Sequence, residues 1–185
     1  MTPIELLTTR RSTRKLGLPA PAAAQIENML QAATQVPDHG QLTPWRFVLI
    51  EGEQAQGKLE QTLLQAAQTL GLGEEGETKA RLVSRMAPLM VGVVAAPRTD
   101  GSRPKPQWEQ HASAFCAAYA IQLAAKAQGF DNVWITGPWV DSSPLRQAFG
   151  CGANDKIIAL LAIGTATDAL AEPKNTDLTR FVQRW

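Results

Sequence analysis

Apolar residues recur every three or four positions in six segments of the chain, which is the spacing of an amphipathic helix. In the second segment, Ile26, Met29 and Ala33 fall on one stripe. The first segment also has a start signal, because Thr2 and Glu5 have the spacing of a capping box. The pattern predicts helices over residues 3–10, 21–36, 52–71, 77–86, 108–128 and 143–150.

Four further segments are apolar runs of strand length, and they lie at residues 45–50, 88–96, 130–135 and 156–163. Such runs are typical of strands that are buried on both faces. Because they alternate with helices, the pattern predicts a sheet that is covered by helices on both faces. We expect strand 45–50 to be central in that sheet rather than at its surface, since it is rich in aromatic and β-branched residues.

The segment 108–128 is apolar almost all round the helix and contains eight alanines. This composition predicts central burial, and the alanines would permit close approach of a second helix, within a bundle or across a dimer. Cys116 lies in this run and is expected to be a buried small hydrophobe.

Composition narrows the class of protein. A chain of 185 residues fits one domain, and the net charge of +1 gives no electrostatic support for binding nucleic acid or a membrane surface. The N-terminus lacks an apolar signal region, and no apolar run approaches the roughly 20 residues of a membrane span. We therefore expect a soluble cytoplasmic protein.

Several kinds of catalytic centre have no motif in the sequence. There is no G-x-G-x-x-G after a strand, no P-loop and no G-x-S-x-G elbow. A metal site is hard to build with two histidines, and His111, near Glu109, is expected to be a satisfied interior or capping residue. No nucleophile stands with a base, so no side chain is assigned as catalytic. If the protein is an enzyme, a bound cofactor carries the chemistry.

A cationic cluster follows the first helix, where Arg10, Arg11, Ser12 and Arg14 stand within five residues. Guanidinium groups match phosphate oxygens and a hydroxyl can complete the set, so the cluster is a candidate phosphate site. The alternative is a solvated surface cluster, because cations near a helix C-terminus are favourable in any case.

A polar loop at residues 36–44 leads directly into strand 45–50 and carries Asp38, His39, Gln41 and Thr43. Loops that leave a rigid scaffold are frequent places for a ligand.

Three pieces in this order resemble the bacterial FMN-dependent NAD(P)H nitroreductases, specifically their short single-domain branch. The pieces are Arg10-Arg11-Ser12-x-Arg14, the loop ending in Pro44-Trp45-Arg46-Phe47, and Gly129-Phe130 followed by Trp134-Ile135-Thr136-Gly137. The resemblance covers essentially the whole chain. It implies one α+β domain over residues 1–185, with a central mixed sheet of four to five strands. It also implies a homodimer with FMN at the interface. The tail, residues 166–185, is polar and irregular, and this composition predicts that it is either disordered or packed on the partner subunit.

The resemblance also implies which residues contact FMN. Arg10, Arg11 and Ser12 would hold the phosphate and ribityl chain, with Arg14 as adjacent support. The loop would reach the flavin of the partner subunit through Gln35, His39 and Gln41. The remaining implied contacts are Trp134, Ile135, Thr136 and Gly137 on the ring and Lys174 on the phosphate.

The implied activity is reduction of nitroaromatic, quinone or similar electron-poor acceptors by NAD(P)H, with ping-pong hydride transfer through the flavin. A weaker implied contact with NAD(P)H comprises Ala124, Ala125, Lys126, Ala127, Gln128 and Gly129, although a buried alanine-rich helix explains the same residues. Asp38, Gln41 and Thr43 depart from the usual Ser, Asn and Gln of the family loop. That departure leaves open a flavin-binding carrier or redox sensor without turnover, and a binder of another phosphorylated small molecule remains a third, more remote possibility.

Overall fold

The capping box at the N-terminus of the first helix is formed. The Thr2 hydroxyl accepts a hydrogen bond from the Glu5 backbone N–H (3.2 Å), and the Glu5 carboxylate accepts one from the Thr2 N–H (2.8 Å). This reciprocal pair satisfies two of the donors that a helix start leaves free. The helix ends at Thr9, so the arginine cluster begins where the chain becomes extended.

A computed structural model describes residues 1–99, 105–169, 172 and 176–185. Within them, the α-helices are α1 (Pro3–Thr9), α2 (Ala23–Ala33), α3 (Gly52–Thr69), α4 (Gly73–Ser84), α5 (Gln107–Ala127) and α6 (Ser143–Ala148). The strands are β1 (Leu16–Gly17), β2 (Trp45–Glu51), β3 (Leu89–Ala95), β4 (Asp131–Ile135) and β5 (Lys156–Ala166). Single 3-10 turns lie at Pro138–Asp141 and Leu178–Arg180.

The strands form one sheet that is organised around β5, which pairs with β1, β3 and β4, while β2 pairs with β3. All of these pairings are antiparallel. A parallel component comes from an isolated bridge between Ser12 and Asn132 of β4. The prediction of an α+β fold with a central mixed sheet is confirmed.

Side chains of β3 alternate between two separate hydrophobic cores. Val91 and Val93 face a core built with α2 and α5, whereas Met90 and Val94 face a core built with α3, α4 and α6. Successive residues of a strand point to opposite faces, so one strand supplies both cores. Coverage of the sheet by helices on both faces is therefore also confirmed.

Strand β2 is not central, contrary to the prediction. The order of strands is β1-β5-β3-β2, and β2 has no second neighbour in the described part of the chain. Its apolar composition reflects cover on its two faces, because Trp45 belongs to one core and Ile50 to the other. Burial of strand faces thus does not reveal the lateral position of a strand in the sheet.

Helix α4 begins at Gly73, four residues before the predicted start at Glu77. Residues 72–76 lie between two of the predicted helices. Gly76 is instead buried in the helix, where a Cβ atom would lie 2.2 Å from the Cβ of Leu72. The glycine permits close packing of the chain on itself, which glycine content alone cannot distinguish from flexibility.

Helix α5 is buried on one side only, so the expectation of all-round burial is wrong for the single chain. Trp108, Phe115 and Tyr119 leave 70%, 48% and 38% of their surfaces exposed, and Cys116 is exposed beside them. The apolar residues of this face are only partly covered by the described residues, since Phe115 stacks on Trp134 and still leaves 48% of its surface exposed. None of the described helices is long and apolar enough to cross a bilayer.

The prediction that His111 is a satisfied interior or capping residue is wrong. Its Nε2 atom is buried and has no hydrogen-bond partner among the described residues. Burial, reinforced by the positive charge of Lys156, lowers the pKa of His111 below its ordinary value.

Replacing His111 by leucine tests this description. The folded state favours neutral His111, so the stability it contributes is complete above the unfolded pKa of about 6.5 and is lost as the pH falls through the folded value. His111→Leu should therefore gain stability relative to the natural protein as the pH falls from 7.5 to 5. One proton limits the slope of that difference to about 1.4 kcal/mol per pH unit. Urea unfolding at several pH values measures it, and a pH-independent difference would contradict the description.

Candidate functional site

The segment that carries the arginine cluster is attached to strand β4. After α1 the chain is extended, Ser12 forms a parallel bridge with Asn132, and the Thr13 N–H donates to the Asn132 carbonyl oxygen at 3.0 Å. The attachment fixes the cluster near its middle, with Arg10 and Arg11 before it and Arg14 after it. Leu16 then pairs with Ala166 of β5, beyond the Asp131 end of β4.

A buried amide pair holds this attachment in place. Nε2 of Gln122, in α5, donates to Asn132 Oδ1 at 2.7 Å, and Asn132 Nδ2 donates to the backbone carbonyl oxygen of Gln122 at 2.9 Å. Both side chains are almost completely buried. Buried polar groups are costly unless they are paired, so this reciprocal pair strongly favours one position for Asn132.

Arg11 has an incompletely satisfied guanidinium. Its Nη1 donates to the Arg10 carbonyl at 2.7 Å and its Nε donates to the Glu172 carbonyl at 3.1 Å. Its Nη2 is buried and has no partner among the described residues. An unpaired donor on a buried cation is unfavourable, so the geometry fits an anionic ligand that supplies the missing acceptor. Arg10 is half-buried, while Ser12 and Arg14 are exposed.

A pocket of about 650 Å³ lies where β4 ends. Its walls include Arg14, Lys15 and residues 134–139 on one side and, on the other, Lys79 of α4 and Met86, which follows that helix. The pocket thus contains residues 134–137, which the sequence predicted, together with Lys15 and Lys79, which it did not. Sequence patterns carry no signal for Lys79, because the approach of α4 to β4 is a tertiary contact.

The side chain of Trp134 is held on the α5 face of the sheet. Its Nε1 donates to the Ile158 carbonyl at 3.0 Å, and its ring stacks on Phe115 with centroids 5.8 Å apart. The pocket lies on the α4 face, so Trp134 contributes mainly backbone to it. Gly137 has a φ of 58°, and a Cβ atom there would lie 2.8 Å from Trp139 Nε1, so this backbone conformation favours glycine.

The polar loop forms a second, separate pocket of about 290 Å³. Gln35, Asp38, Gln41 and Thr43 line it, and no residue lines both this pocket and the one at the end of β4. Gln41 and Thr43 have positive φ angles of 54° and 47°. Such angles are uncommon for residues other than glycine and cluster at functional sites.

Asp38 organises this loop, a role that the sequence did not reveal. Its Oδ2 accepts a hydrogen bond from the Thr43 N–H at 2.7 Å, which helps to hold the strained turn. Its Oδ1 is buried without a partner among the described residues and is free to accept a donor from a ligand. His39 is exposed, and its Nδ1 lies 2.6 Å from Glu109 Oε2.

The residues proposed for NAD(P)H contact, 124–129, lie at the end of α5 against α2. Gln128 Nε2 donates to the Gln25 carbonyl at 3.1 Å, and Lys126 pairs with Asp131 at 2.7 Å. The structure does not bring them together with residues 134–137 in a described pocket, and their assignment stays a prediction. Lys174 lies outside the described residues. Among those that are described, no cluster of three or more His, Cys, Asp or Glu side chains could hold a metal ion.

Comparison with known proteins gives a consistent result. The family described as the "Nitroreductase family" matches residues 7–165. A Haemophilus influenzae protein named "Putative NAD(P)H nitroreductase" is 49% identical over 184 residues, which is 98% of each chain. An Escherichia coli K12 relative, of the same name with the designation YdjA, is 41% identical over 165 residues, covering 89% of this chain and 88% of the relative.

Solved structures share the fold at lower identity. A nitroreductase-like family protein from Bacillus cereus superposes with a TM-score of 0.84 at 22% identity, covering 100% of this chain and 96% of the other. A point mutant of NfnB from Sphigopyxis sp. strain HMH, which is called an FMN and NADPH-dependent nitroreductase, superposes with a TM-score of 0.75 at 18% identity, covering 100% and 99%.

Three findings agree on the family of this chain: the arginine segment beside β4, the pocket at the end of that strand and the family match over residues 7–165. The chain belongs to the nitroreductase family and is an enzyme of the oxidoreductase class.

Proposed function

We propose that the protein is an FMN-dependent reductase that uses NAD(P)H to reduce electron-poor acceptors such as nitroaromatics or quinones. The observation that carries the proposal is the buried, unpaired Nη2 of Arg11, in a segment that is attached to β4. The names of the relatives and of NfnB support the same choice of cofactor and reductant.

The arginine segment would hold the FMN phosphate. Arg11 Nη2 is a charged donor that lacks an acceptor among the described residues, and Arg10 and Ser12 flank Arg11 in the chain. A phosphate offers several acceptor oxygens and a double negative charge, which matches this set of donors. Each charge-assisted bond contributes roughly 1.5–3 kcal/mol, so a few of them supply much of a micromolar affinity.

The end of β4 would receive the isoalloxazine ring. Trp134 and Ile135 lie at the strand end, and Thr136 and Gly137 follow as exposed residues. With the Trp134 side chain held on the other face, this part of the pocket presents largely backbone, whose fixed N–H and C=O groups suit a flat ring with polar edges.

FMN, when bound, would accept a hydride from NAD(P)H and then pass the two electrons to the acceptor, so that one pocket serves both substrates in turn. The residues of the chain would bind and orient the reactants and limit the access of water. No side chain acts as a nucleophile in this scheme.

We further propose that a homodimer completes the site. The polar loop and the β4 pocket share no lining residue, so Gln35, His39 and Gln41 would meet the flavin of the partner subunit. The exposed aromatic face of α5 and the exposed tail, in which Phe181 and Trp185 are uncovered, supply apolar surface for that contact.

A second candidate function is a flavin-binding carrier or redox sensor without turnover. Asp38 favours it, since its carboxylate, with one oxygen unpaired among the described residues, stands where the family usually has an uncharged polar residue. A negative charge near the flavin would tune its reduction potential rather than assist substrate binding.

Arg11→Ala should weaken FMN binding by at least tenfold while leaving a folded protein, because it removes the buried charged donor from the phosphate end. The FMN affinity of Arg11→Lys should lie between those of the natural protein and Arg11→Ala, since lysine retains the charge but not the fork of donors. Fluorescence titration of the apoprotein with FMN measures the affinities. Lys58→Ala, which removes an exposed cation on α3, is the control. Equal FMN affinity in all four proteins would show that the cluster is solvated surface.

Anaerobic mixing of the FMN-loaded protein with NADPH or NADH should bleach the flavin absorbance, because the proposed reductant delivers a hydride to FMN. Addition of a quinone should then restore the colour, and steady-state turnover should follow. Absence of bleaching with both nucleotides would exclude the reductase. Bleaching without sustained turnover with a quinone or a nitroaromatic would favour the carrier or sensor.

A further inference from the structure

A cationic groove of about 610 Å³ adjoins the pocket at the end of β4. Arg14, Lys15, Arg81 and Arg85 all line it, and no carboxylate does so among the described residues. Four of the 18 lysine and arginine residues of a nearly neutral chain therefore face one groove. Such a concentration of one sign of charge attracts an anion.

Three of the four cations that line the groove have ion-pair partners, and these pairs are at least partly exposed. Lys15 lies 2.5 Å from Asp168. Arg81 lies 3.5 Å from Glu77 on the exposed surface of α4, and Arg85 lies 2.7 Å from Glu60 of α3. Arg14 has no ion pair in the described part of the chain. Exposed ion pairs contribute roughly 0.2–1 kcal/mol, so an incoming phosphate can compete for these guanidinium groups.

The groove also has an apolar floor. Leu16, Leu82 and Met86 line it, and the hydroxyl-bearing residues Thr78 and Thr167 stand among the cations. An apolar surface bordered by guanidinium groups suits a flat heterocycle that carries a phosphate. A small inorganic anion would make no use of the apolar part.

The groove is continuous with the proposed flavin pocket, because Arg14, Lys15, Leu82 and Met86 line both. An extended ligand can therefore occupy the groove and the pocket at once. Arg14 lines the groove, whereas Arg11 does not and stands earlier in the segment, next to the Ser12–Asn132 bridge. The two ends of the arginine segment thus offer two separate anion sites.

We propose that this groove binds the adenosine end of NADPH, with Arg81 and Arg85 contacting the 2′-phosphate, and that the enzyme therefore prefers NADPH to NADH. This inference rests on the proposed function, since it assigns the reductant of the same site. NADH lacks the 2′-phosphate and would leave these guanidinium groups without a ligand. The shared lining would place the nicotinamide end of the nucleotide toward the pocket at the end of β4.

Two substitutions should change the preference in opposite directions. Arg81→Gln should raise the half-saturating NADPH concentration for flavin reduction by about five- to tenfold, after allowance for the exposure of Arg81, and leave that for NADH unchanged. Glu60→Gln releases Arg85 from its carboxylate partner and should lower the value for NADPH by about two- to threefold. Lys58→Gln removes a cation that does not line this groove and should change neither value.

Anaerobic stopped-flow reduction of the FMN-loaded protein measures these values. Calorimetric binding of 2′,5′-ADP, compared with ADP, provides a readout that does not require turnover. The proposal predicts that 2′,5′-ADP binds more tightly and that Arg81→Gln and high ionic strength abolish the difference. Arg81→Gln should retain its FMN.

The outcomes separate the two proposals. In one outcome, both nucleotides bleach the flavin while Arg81→Gln leaves the ratio of their half-saturating concentrations unchanged. That result would overturn the groove assignment but leave the proposed reductase activity intact. Loss of FMN from Arg81→Gln would also overturn it, by showing that the groove holds the FMN phosphate. If neither nucleotide bleaches the flavin but 2′,5′-ADP binding depends on Arg81, the proposed reductase activity is excluded. The assignment of the groove as a site for the 2′-phosphate is then retained.

Discussion

The backbone hydrogen bond from Thr13 to Asn132 is the contact on which the arrangement of the site depends. It joins a segment near the N-terminus to a strand almost 120 residues later, and the buried Gln122–Asn132 pair keeps its acceptor in place. A single exposed hydrogen bond would contribute little, but a buried network with both partners satisfied favours one geometry over its alternatives. Through this contact Ser12 and Thr13 are fixed beside β4, with Arg11 before the attachment and Arg14 after it.

The site combines a rigid part with an incomplete one. Strands β4 and β5 pair along the length of β4, and the Trp134 indole is bound to the Ile158 carbonyl, so the strand end is well supported. The polar loop, by contrast, holds non-glycine residues at positive φ through Asp38 and lies apart from the β4 pocket. Strain of this kind persists where surrounding contacts determine it, and the proposed partner subunit would give the loop its ligand. The exposed aromatic face of α5 is consistent with the same arrangement.

Hydrophobic periodicity predicted the helices, four of the five strands and the cover of the sheet on both faces, because these depend on local spacing. It missed β1, whose two residues are too few to show a pattern. It could not predict that β2 lies at the edge, that Cys116 is exposed or that His111 lacks a partner among the described residues, since these depend on which surfaces meet. For the site, residue type indicated the arginine cluster and the polar loop, whereas the strand end was implied only by the family resemblance. The contributions of Lys15, Lys79 and Asp38 had no sequence signal, because each depends on a tertiary approach or on one loop conformation.

The central claim is that Arg11 holds the FMN phosphate, and a crystal structure of the FMN-loaded protein tests it most directly. The account predicts a phosphate oxygen about 2.7–2.9 Å from Arg11 Nη2, the distance of a charge-assisted hydrogen bond, while Arg11 Nη1 keeps its bond to the Arg10 carbonyl. A phosphate bound instead between Arg14, Arg81 and Arg85, with Arg11 Nη2 still unpaired, would contradict it.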